Sequence, residues 1–350
     1  MFDVHEIQNL HHFSEEAIQF NQDSLENRLA VLEKLVGNTP LMKLDVPHID
    51  LYAKLEYFNF MGSIKDRTAV QIIKRAVEKG EITRNTTVIE ASSGNFAIAT
   101  AAVCNFLCIP FVAVIDPNVN RVYHKLLAYF CANVINVDKK DKNNGYLLTK
   151  LEAVEDYLEN NEDAFWTNQY RNCENFNAHY EGTGLEICRQ MEQVDYAFVA
   201  VATGGTLAGV SARLKEHFPE VKIVAVDAEG SVIFGTPAKP RLIPGMGSGI
   251  QPHLINRAQF DEVVHVKELD TVASCRELFY RHGIFAGGST GAVYHAVNAY
   301  FADRPNGEKP RVVFICPDRG LAYADNIYDH AWLNNLQLIH KPCPEPEEKD

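Results

Sequence analysis

Short apolar segments rich in β-branched residues alternate with helical patterns along most of the chain, and this alternation constrains the fold more than any other feature. VIEA (88–91), PFVAVID (110–116), YAFVAV (196–201) and KIVAVDAEG (222–230) are near-continuous apolar runs. Strands of a parallel sheet that is covered by helices on both faces have this pattern. We therefore predict an α/β fold with two lobes, each a mostly parallel sheet flanked by helices, and a cleft at the carboxyl ends of the strands.

Breaks in this alternation predict the domain limits. Leu25, Leu29 and Leu32 recur at helical spacing near the N-terminus, with Ser24 and Ser14 as possible N-caps. The segment 166–187 is long, polar and without periodicity, which predicts a functional loop. We predict an N-terminal helical arm over 1–35, a smaller mobile α/β domain over 60–165, a larger α/β domain formed by 36–59 and 166–340, and a disordered tail over 341–350.

Composition excludes several classes of function. The formal net charge of −13 argues against a nucleic-acid binder, whose footprint is a basic patch. No apolar run reaches the length of a membrane span, and the N-terminus lacks the apolar core of a signal peptide. The eight cysteines contain no C-x-x-C pair and the 13 histidines no metal-site spacing. We expect a cytoplasmic protein with reduced core cysteines and no bound metal.

Lys65 is the first candidate functional residue. It follows a glycine turn in GSIKDR (62–67) and precedes an amphipathic run, so it is predicted to lie in the first turn of a helix. The positive end of the helix dipole and partial burial would both favour the neutral amine. A neutral lysine attacks carbonyl groups and forms Schiff bases. The alternative is a solvated helix-start lysine in a turn capped by Ser63.

TGGTLAG (203–209) is a glycine turn between an apolar strand and a helix. Free backbone amides in such a turn, at a helix N-terminus, make a pocket for a phosphate group. A dinucleotide site is the alternative, because Asp227 ends the next strand at a suitable distance. The spacing G-G-x-x-x-G differs from the dinucleotide motif G-x-G-x-x-G, which favours the phosphate pocket.

Two further turns carry hydroxyl groups. SSGNF (92–96) ends a strand and opens a helix, where hydroxyls, the Asn95 amide and free amides suit a carboxylate, although a simple N-cap turn has the same composition. GGSTGA (287–292) offers Ser289 in a similar setting. A lysine, a phosphate pocket and two hydroxyl-rich turns together indicate pyridoxal 5′-phosphate (PLP), which needs all of these groups.

The chain resembles the fold-type II PLP-dependent enzymes, the cysteine synthase and cystathionine β-synthase family with a tryptophan synthase β-like fold, over about residues 35–335. The motifs that carry the resemblance occur in the family's order. They are GNTPL (37–41), KLE…GSIKDR (54–67), SSGN (92–95), NQY…HYEGTG (168–184), TGGT (203–206), GMGSG (245–249), GGSTGA (287–292) and PDRG (317–320).

The resemblance implies a role for each matched residue. Lys65 would form the imine with the cofactor, Asn95 would contact the ring hydroxyl, and Ser289 would lie at the pyridine nitrogen. The phosphate would be held by Thr203, Gly204, Gly205 and Thr206. Ser92, Ser93 and Gln169 match positions that bind the substrate carboxylate. Tyr170 is our candidate for the wall of the cleft, with Lys150 and Arg121 as weaker basic candidates.

Departures from the cysteine synthase pattern narrow the implied reaction. Phe96 and Ala97 replace the usual Thr and Gly of T-S-G-N-T-G, and Gly320-Leu321-Ala322-Tyr323 lacks the arginine of G-E-R-Y. Four stretches look most similar to the siderophore-pathway branch of the family: EGSVIFG (229–235), GIFAGGSTG (283–291), NQY (168–170) and PDRG (317–320). That branch makes N-(2-amino-2-carboxyethyl)-L-glutamate from O-phospho-L-serine and L-glutamate, through an aminoacrylate, as a precursor of 2,3-diaminopropionate.

Three alternatives remain open at this point. They are a cysteine synthase that uses sulfide, a PLP-binding protein without turnover, and a dinucleotide-dependent oxidoreductase. The family resemblance and the arm also imply a homodimer. The other expected binding partners are small amino-acid substrates.

Overall fold

A computed structural model of the 350-residue chain describes residues 24–142, 145–303 and 309–339. The predicted tail at 341–350, the first 23 residues of the predicted arm and Cys343 lie outside the described residues. The strands are β1 (Leu41–Leu44), β2 (Asp50–Leu55), β3 (Thr87–Ala91), β4 (Phe111–Ile115), β5 (Asn133–Asn136), β6 (Ala164–Trp166), β7 (Tyr196–Ala200), β8 (Lys222–Ala228), β9 (Glu262–Val266) and β10 (Arg311–Cys316).

Helices separate most of these strands. They are α1 (Leu25–Leu35), α2 (Lys65–Glu78), α3 (Asn95–Leu107), α4 (Arg121–Phe130), α5 (Leu147–Glu159), α6 (Glu174–Asn177), α7 (Leu185–Gln190), α8 (Gly205–His217), α9 (Glu268–His282), α10 (Gly288–Tyr300) and α11 (His330–Ile339). A π-helix, Ala178–Gly184, joins α6 to α7, and short 3₁₀ turns occupy Glu56–Phe58, His253–Arg257 and Gly320–Tyr323.

The strands form two sheets, which define the two lobes. The smaller lobe contains a parallel sheet in the order β5-β4-β3-β6. The larger lobe contains a sheet in the order β1-β2-β10-β7-β8-β9, in which only the β1–β2 pair is antiparallel. The predicted α/β class with two mostly parallel sheets is therefore confirmed. The exact domain limits given above remain a prediction.

Each sheet is buried on both faces, as the continuous apolar runs require. In β4, Phe111 and Ala113 pack toward α2 and α3, whereas Val112 and Val114 pack toward α5. The six-stranded sheet likewise has an apolar cluster on each face. Since side chains alternate across a strand, a strand between two helical layers must be apolar at every position.

The helix predicted near the N-terminus is present as α1. The Ser24 hydroxyl caps it by accepting a hydrogen bond from the amide of Asn27 at 3.2 Å. Leu25, Leu29 and Leu32 are buried in the apolar cluster that also contains residues of α2 and α3. The described part of the arm therefore packs on the smaller lobe.

The prediction of an aperiodic loop over 166–187 is wrong from residue 174 onward. Residues 174–190 form α6, the π-helix and α7. The π-helix shifts the register of side chains within the segment, which hides the 3.6-residue period that sequence reasoning relies on. The segment packs closely against α8, where a Cβ on Gly209 would lie 2.5 Å from the carbonyl oxygen of Phe176.

The description of the cysteines as core residues holds only in part. Cys104, Cys188, Cys275 and Cys316 are buried, but Cys108 and Cys173 are exposed. Among the residues that the structure describes, none forms a disulfide. No described helix is both long enough and apolar enough to cross a bilayer.

Candidate active site

Lys65 is the first residue of α2 and lies at the junction of the two lobes. The amide of Ile64 donates to the carbonyl of Pro317 at 2.7 Å, and Ser63 forms a β-bridge with Asp318, so the helix begins against the end of β10. Ser63 Oγ and Asp66 Oδ2 accept amide hydrogen bonds in this turn. Within the described part of the chain, no hydrogen bond or ion pair is recorded for the Lys65 amine. Burial lowers the pKa of Lys65 to about 8, against the opposing charge of Asp318.

A buried ionic network holds the start of α2 in place. The Arg67 guanidinium donates to Glu56 at 2.6 Å and to Glu186 at 2.7 Å, and the Lys54 amine donates to Glu186 at 2.6 Å. Burial raises the pKa of Glu186, but the bonds from Arg67 and Lys54 outweigh it and lower that pKa to about 2. The network joins β2, α2 and α7, so it fixes the direction in which Lys65 enters the site.

The turn before α8 forms a cradle next to Lys65. Gly204 has φ +85°, a conformation that glycine adopts without strain, and a Cβ on Gly205 would lie 2.2 Å from Asn175 Oδ1. Asn175 is itself fixed, since its amide donates to the carbonyl of Gln169 at 2.8 Å and to Thr203 Oγ1 at 3.1 Å. The first amides of α8 have no carbonyl partner within the helix, so they are available to an anion.

His179 lies beneath this cradle and was not singled out by the sequence analysis. Its Nε2 is 3.2 Å from Thr206 Oγ1 and 3.3 Å from Thr68 Oγ1, and its Nδ1 is 3.2 Å from Thr183 Oγ1. Burial lowers the pKa of His179 well below its usual range, so the ring is neutral. A neutral ring can accept from one hydroxyl and donate to another, and it orients the Thr206 hydroxyl.

Asn95 and Asp318 meet across the cleft. Asn95 is the first residue of α3, and its amide donates to Asp318 Oδ2 at 2.6 Å. Tyr123 donates to Asn95 Oδ1, and Tyr323 donates to Asp318 Oδ2 at 2.8 Å. Burial raises the pKa of Asp318 to about 6. The chain of hydrogen bonds therefore connects α3 and α4 of the smaller lobe with the end of β10.

One cavity brings most of the predicted cofactor residues together. Its lining includes Lys65, Asn95, Thr203, Gly204, Thr206, Ser289 and Asp318. Gly205 starts α8 immediately beside it, and Ser289 lies in the first turn of α10. Apart from Asp318, which follows β10, these residues come from four different helix starts, because helices of both lobes begin at the carboxyl ends of the strands.

The predicted substrate residues do not line this cavity. Ser92 and Gln169 are buried nearby. The Ser93 hydroxyl donates to Asp116 Oδ2 at 2.9 Å. Tyr170 lines a separate, outer crevice.

The two weaker basic candidates have different positions. The Lys150 amine forms a buried ion pair with Asp116 at 2.5 Å. Arg121 is exposed at the start of α4 and lines neither the Lys65 cavity nor the outer crevice.

The residues around the cavity fit PLP. Its aldehyde needs a lysine that is partly uncharged, and Lys65 meets this requirement. Its phosphate needs a turn of free amides, and residues 203–206 form such a turn at the start of α8. Within the turn, a Cβ on Gly204 would lie 2.9 Å from the backbone nitrogen of Ile255, so this position requires glycine. Asp318 Oδ1 is buried without a hydrogen-bond partner among the described residues, and it lies against Gly287, where a Cβ would be 2.1 Å from it.

The fold and this site define a PLP-dependent enzyme. Residues 32–318 match the family described as pyridoxal-phosphate dependent enzyme, and the chain belongs to that family, with fold type II architecture. Its cofactor is therefore pyridoxal 5′-phosphate. The dinucleotide alternative is excluded by this membership. The Asp227 carboxylate on which it depended is buried and accepts the amide of its neighbour Ala228.

Relatives and solved structures agree with this assignment. A Cupriavidus metallidurans protein named N-(2-amino-2-carboxyethyl)-L-glutamate synthase is 41% identical over 307 residues, which are 86% of this chain and 90% of that protein. A protein of the same name from Ralstonia nicotianae is 42% identical over the same shares of both chains. The structure of an O-acetylserine dependent cystathionine beta-synthase from Helicobacter pylori superimposes with a TM-score of 0.79 at 27% identity, covering 85% of this chain and 98% of that one.

Proposed function

We propose that this protein forms N-(2-amino-2-carboxyethyl)-L-glutamate by PLP-dependent β-replacement, with O-phospho-L-serine and L-glutamate as substrates. The name of the product defines the new bond, which joins the amine nitrogen of glutamate to the β-carbon of an alanyl unit. The C–O bond to phosphate breaks, phosphate leaves with the electron pair, and the attacking amine releases one proton. Two relatives of this name, at 41% and 42% identity over 86% of the chain, support the proposal.

The position of Lys65 in one cavity with Asn95 and Ser289 is the structural observation that carries the chemistry. When bound, PLP supplies an electron sink next to the α-carbon of an amino acid. Lys65 would hold the cofactor covalently at rest. After the substrate amine has released it, the Lys65 amine would remove the α-proton and later return it. A base works best with a pKa near the working pH, and burial brings the pKa of Lys65 to about 8.

The remaining cofactor residues would orient the group and tune it. Thr203, Gly204, Gly205 and Thr206 would hold the phosphate, with His179 fixing the Thr206 hydroxyl, and Asn95 would contact the ring hydroxyl. Ser289 would face the pyridine nitrogen with a neutral hydroxyl, which does not keep that nitrogen protonated as a carboxylate would. This arrangement favours elimination and replacement at the β-carbon over transamination.

The substrate pair can be tested with purified protein and PLP. We expect O-phospho-L-serine plus L-glutamate to release phosphate and to give a product with the mass of N-(2-amino-2-carboxyethyl)-L-glutamate. O-acetyl-L-serine plus sulfide serves as the comparison. Faster formation of cysteine than of the amine product would assign the protein to the cysteine synthases instead.

Replacement of Lys65 by Ala tests the role of the lysine. We expect Lys65→Ala to lose the visible absorbance of the bound cofactor and to lower turnover by at least about 1000-fold, since the covalent link and the proton carrier are both removed. Lys79→Ala, at the exposed C-cap of the same helix, is the matched control and should behave as wild type. An active, yellow Lys65→Ala protein would contradict the assignment.

We also propose a cytoplasmic homodimer whose product is the precursor of 2,3-diaminopropionate for siderophore synthesis. Exposed apolar side chains, among them Phe58 at 53% and Leu321 at 64% exposure, support a covered surface. Sedimentation analysis tests the dimer, and a monomer at micromolar concentration would contradict it. A strain that lacks the gene should lose siderophore production and regain it when 2,3-diaminopropionate is supplied.

A further inference from the structure

The crevice outside the Lys65 cavity contains Arg241, a cation that has no role in the reaction steps described above. This crevice of about 800 Å³ lies between residues 116–118, 140–141 and 145–150 of the smaller lobe and residues 230–250 of the larger lobe. Tyr170 contributes to its wall. Gly245 lines the Lys65 cavity, and Gly247 lines the crevice, so the two spaces adjoin along one short loop.

The charge of the crevice favours an anionic ligand. Its lining contains Lys140, Lys150, Lys239 and Arg241 against Asp116 and Asp141. Lys150 is already paired with Asp116, and Lys239 bonds the exposed Glu229. Among the described residues, Lys140 and Arg241 have no carboxylate within ion-pair distance. Of these two only Arg241 is partly buried, since Lys140 is exposed.

Arg241 is held in position without being neutralised. The only hydrogen bond recorded for its guanidinium among the described residues is a long one, from Nη1 to the carbonyl of Met246 at 3.5 Å. A Cβ on Gly247 would lie 2.2 Å from the same Nη1, so the guanidinium rests directly against the backbone of that glycine. The charges of Asp227 and Glu268 act on Arg241 from a distance, without ion pairs. A guanidinium presents five donors, and most of those of Arg241 remain available.

We propose that Arg241 is a specificity-determining residue that binds the outer carboxylate of the amino-acid nucleophile. This inference rests on the proposed function and names the group that selects its second substrate. When the amine of a dicarboxylic amino acid points inward to the reacting β-carbon, its side-chain carboxylate points outward, toward the crevice. A guanidinium binds a carboxylate through two parallel hydrogen bonds, which gives both affinity and orientation.

Tyr170 and Arg241 are electrostatic neighbours in the lining of the crevice. Burial raises the pKa of Tyr170 to about 12, so its phenol stays a neutral donor at working pH. A carboxylate at Arg241 would therefore meet a cation and a neutral hydroxyl donor on the same wall. Lys150 on the opposite wall is paired with Asp116, and Lys140 is exposed to solvent. Arg241 is therefore the partly buried cation that would distinguish a charged from an uncharged side chain.

The test compares L-glutamate with L-glutamine as nucleophile, using holoenzyme and saturating O-phospho-L-serine. Glutamine has nearly the same shape but lacks the charge. We expect wild type to prefer glutamate in kcat/KM by about 10- to 100-fold, the range of a hydrogen-bonded charge contact. In Arg241→Ala the preference should fall close to unity, mainly through KM for glutamate. Arg241→Lys should recover part of the preference.

Two controls separate this role from a structural one. The spectral change on adding O-phospho-L-serine alone should be unchanged in Arg241→Ala, which also shows that the variant is folded and loaded. Arg281→Ala removes an arginine with a 64% exposed side chain on α9 and should keep the full preference.

Each other outcome has a defined meaning. An Arg241→Ala protein that retains the wild-type preference overturns this inference alone. Equal loss with both nucleophiles, together with a lost spectral change, shows a structural role and also overturns it. If wild type forms no amine product with either amino acid, the proposed function fails, and this inference fails with it.

Discussion

Lys65 depends on its surroundings for the charge state that its proposed role requires. With the ordinary pKa of 10.5 a lysine is almost fully protonated at neutral pH and cannot attack an aldehyde. Burial at the start of α2 lowers the pKa to about 8, so about one tenth of the amine is neutral at pH 7. The negative charge of the nearby Asp318 raises the pKa of Lys65, so part of the amine remains protonated at physiological pH.

The pH dependence of cofactor loading follows from this pKa. Only the neutral amine forms the covalent bond, so the rate at which apoprotein takes up PLP should rise with pH and level off above about 8. Visible absorbance after mixing measures the rate. Lys79→Ala should give the same profile. A rate that keeps rising to the ordinary lysine pKa of 10.5 would show that burial does not act on Lys65 in this way.

Local sequence motifs predicted the residues of the cavity better than its surroundings. Lys65, Asn95 and Ser289 each follow a glycine or a strand end, and this local chemistry can be recognised in a single stretch of sequence. Asp318 lies in the PDRG motif, but the sequence assigns it no role, because its importance comes from partners that are distant in the chain. Arg241 has no local signal at all, and nothing in the sequence around it indicates that it lines the crevice.

At the scale of elements, packing of α8 against the segment 174–190 places the phosphate cradle. Strands were predictable because burial on both faces makes them continuously apolar. The helical structure of segment 174–190 was not predictable, because its π-helix has no simple period and its stability depends on contacts with α8. Those contacts are close: a Cβ on Gly209 would lie 2.7 Å from the amide of Tyr180 and 2.8 Å from His179 Cβ.

Replacement of Gly209 by Ala tests this contact. An alanine in an open helix position is more stable than glycine by up to about 1 kcal/mol. Here the added methyl group meets backbone atoms, so we expect a loss of about 1–3 kcal/mol in the free energy of unfolding. Weaker PLP binding should accompany it, because Thr206 on α8 moves relative to His179. Urea unfolding and PLP titration measure the two effects.

Gly249 provides the matched control for this substitution. A Cβ at that position meets no atom within 4 Å, and its φ is not in the left-handed region. Gly249→Ala should therefore change the free energy of unfolding by less than about 0.5 kcal/mol. Equal effects of the two substitutions would show that contact with the π-helix is not what makes Gly209 necessary.

At the scale of the whole molecule, the two lobes meet through the groups that control the site. Asn95 and Tyr123 come from the smaller lobe, and Asp318 and Tyr323 follow β10 of the larger lobe. Asp318 also acts on Lys65 through its charge. Contacts between the lobes and the protonation of Lys65 therefore involve the same carboxylate, that of Asp318.

The substitution Asp318→Asn tests this link. Removing the negative charge removes an interaction that favours protonated Lys65, so the pKa of Lys65 should fall below about 8. The midpoint of the PLP loading profile should consequently move to lower pH. Tyr323→Phe removes one hydrogen bond to Asp318 but keeps the carboxylate, and Lys65 should then load with a midpoint close to that of wild type. A shift to higher pH in Asp318→Asn would mean that the carboxylate does not stabilise the Lys65 cation, and that the two lobes are coupled by hydrogen bonds alone.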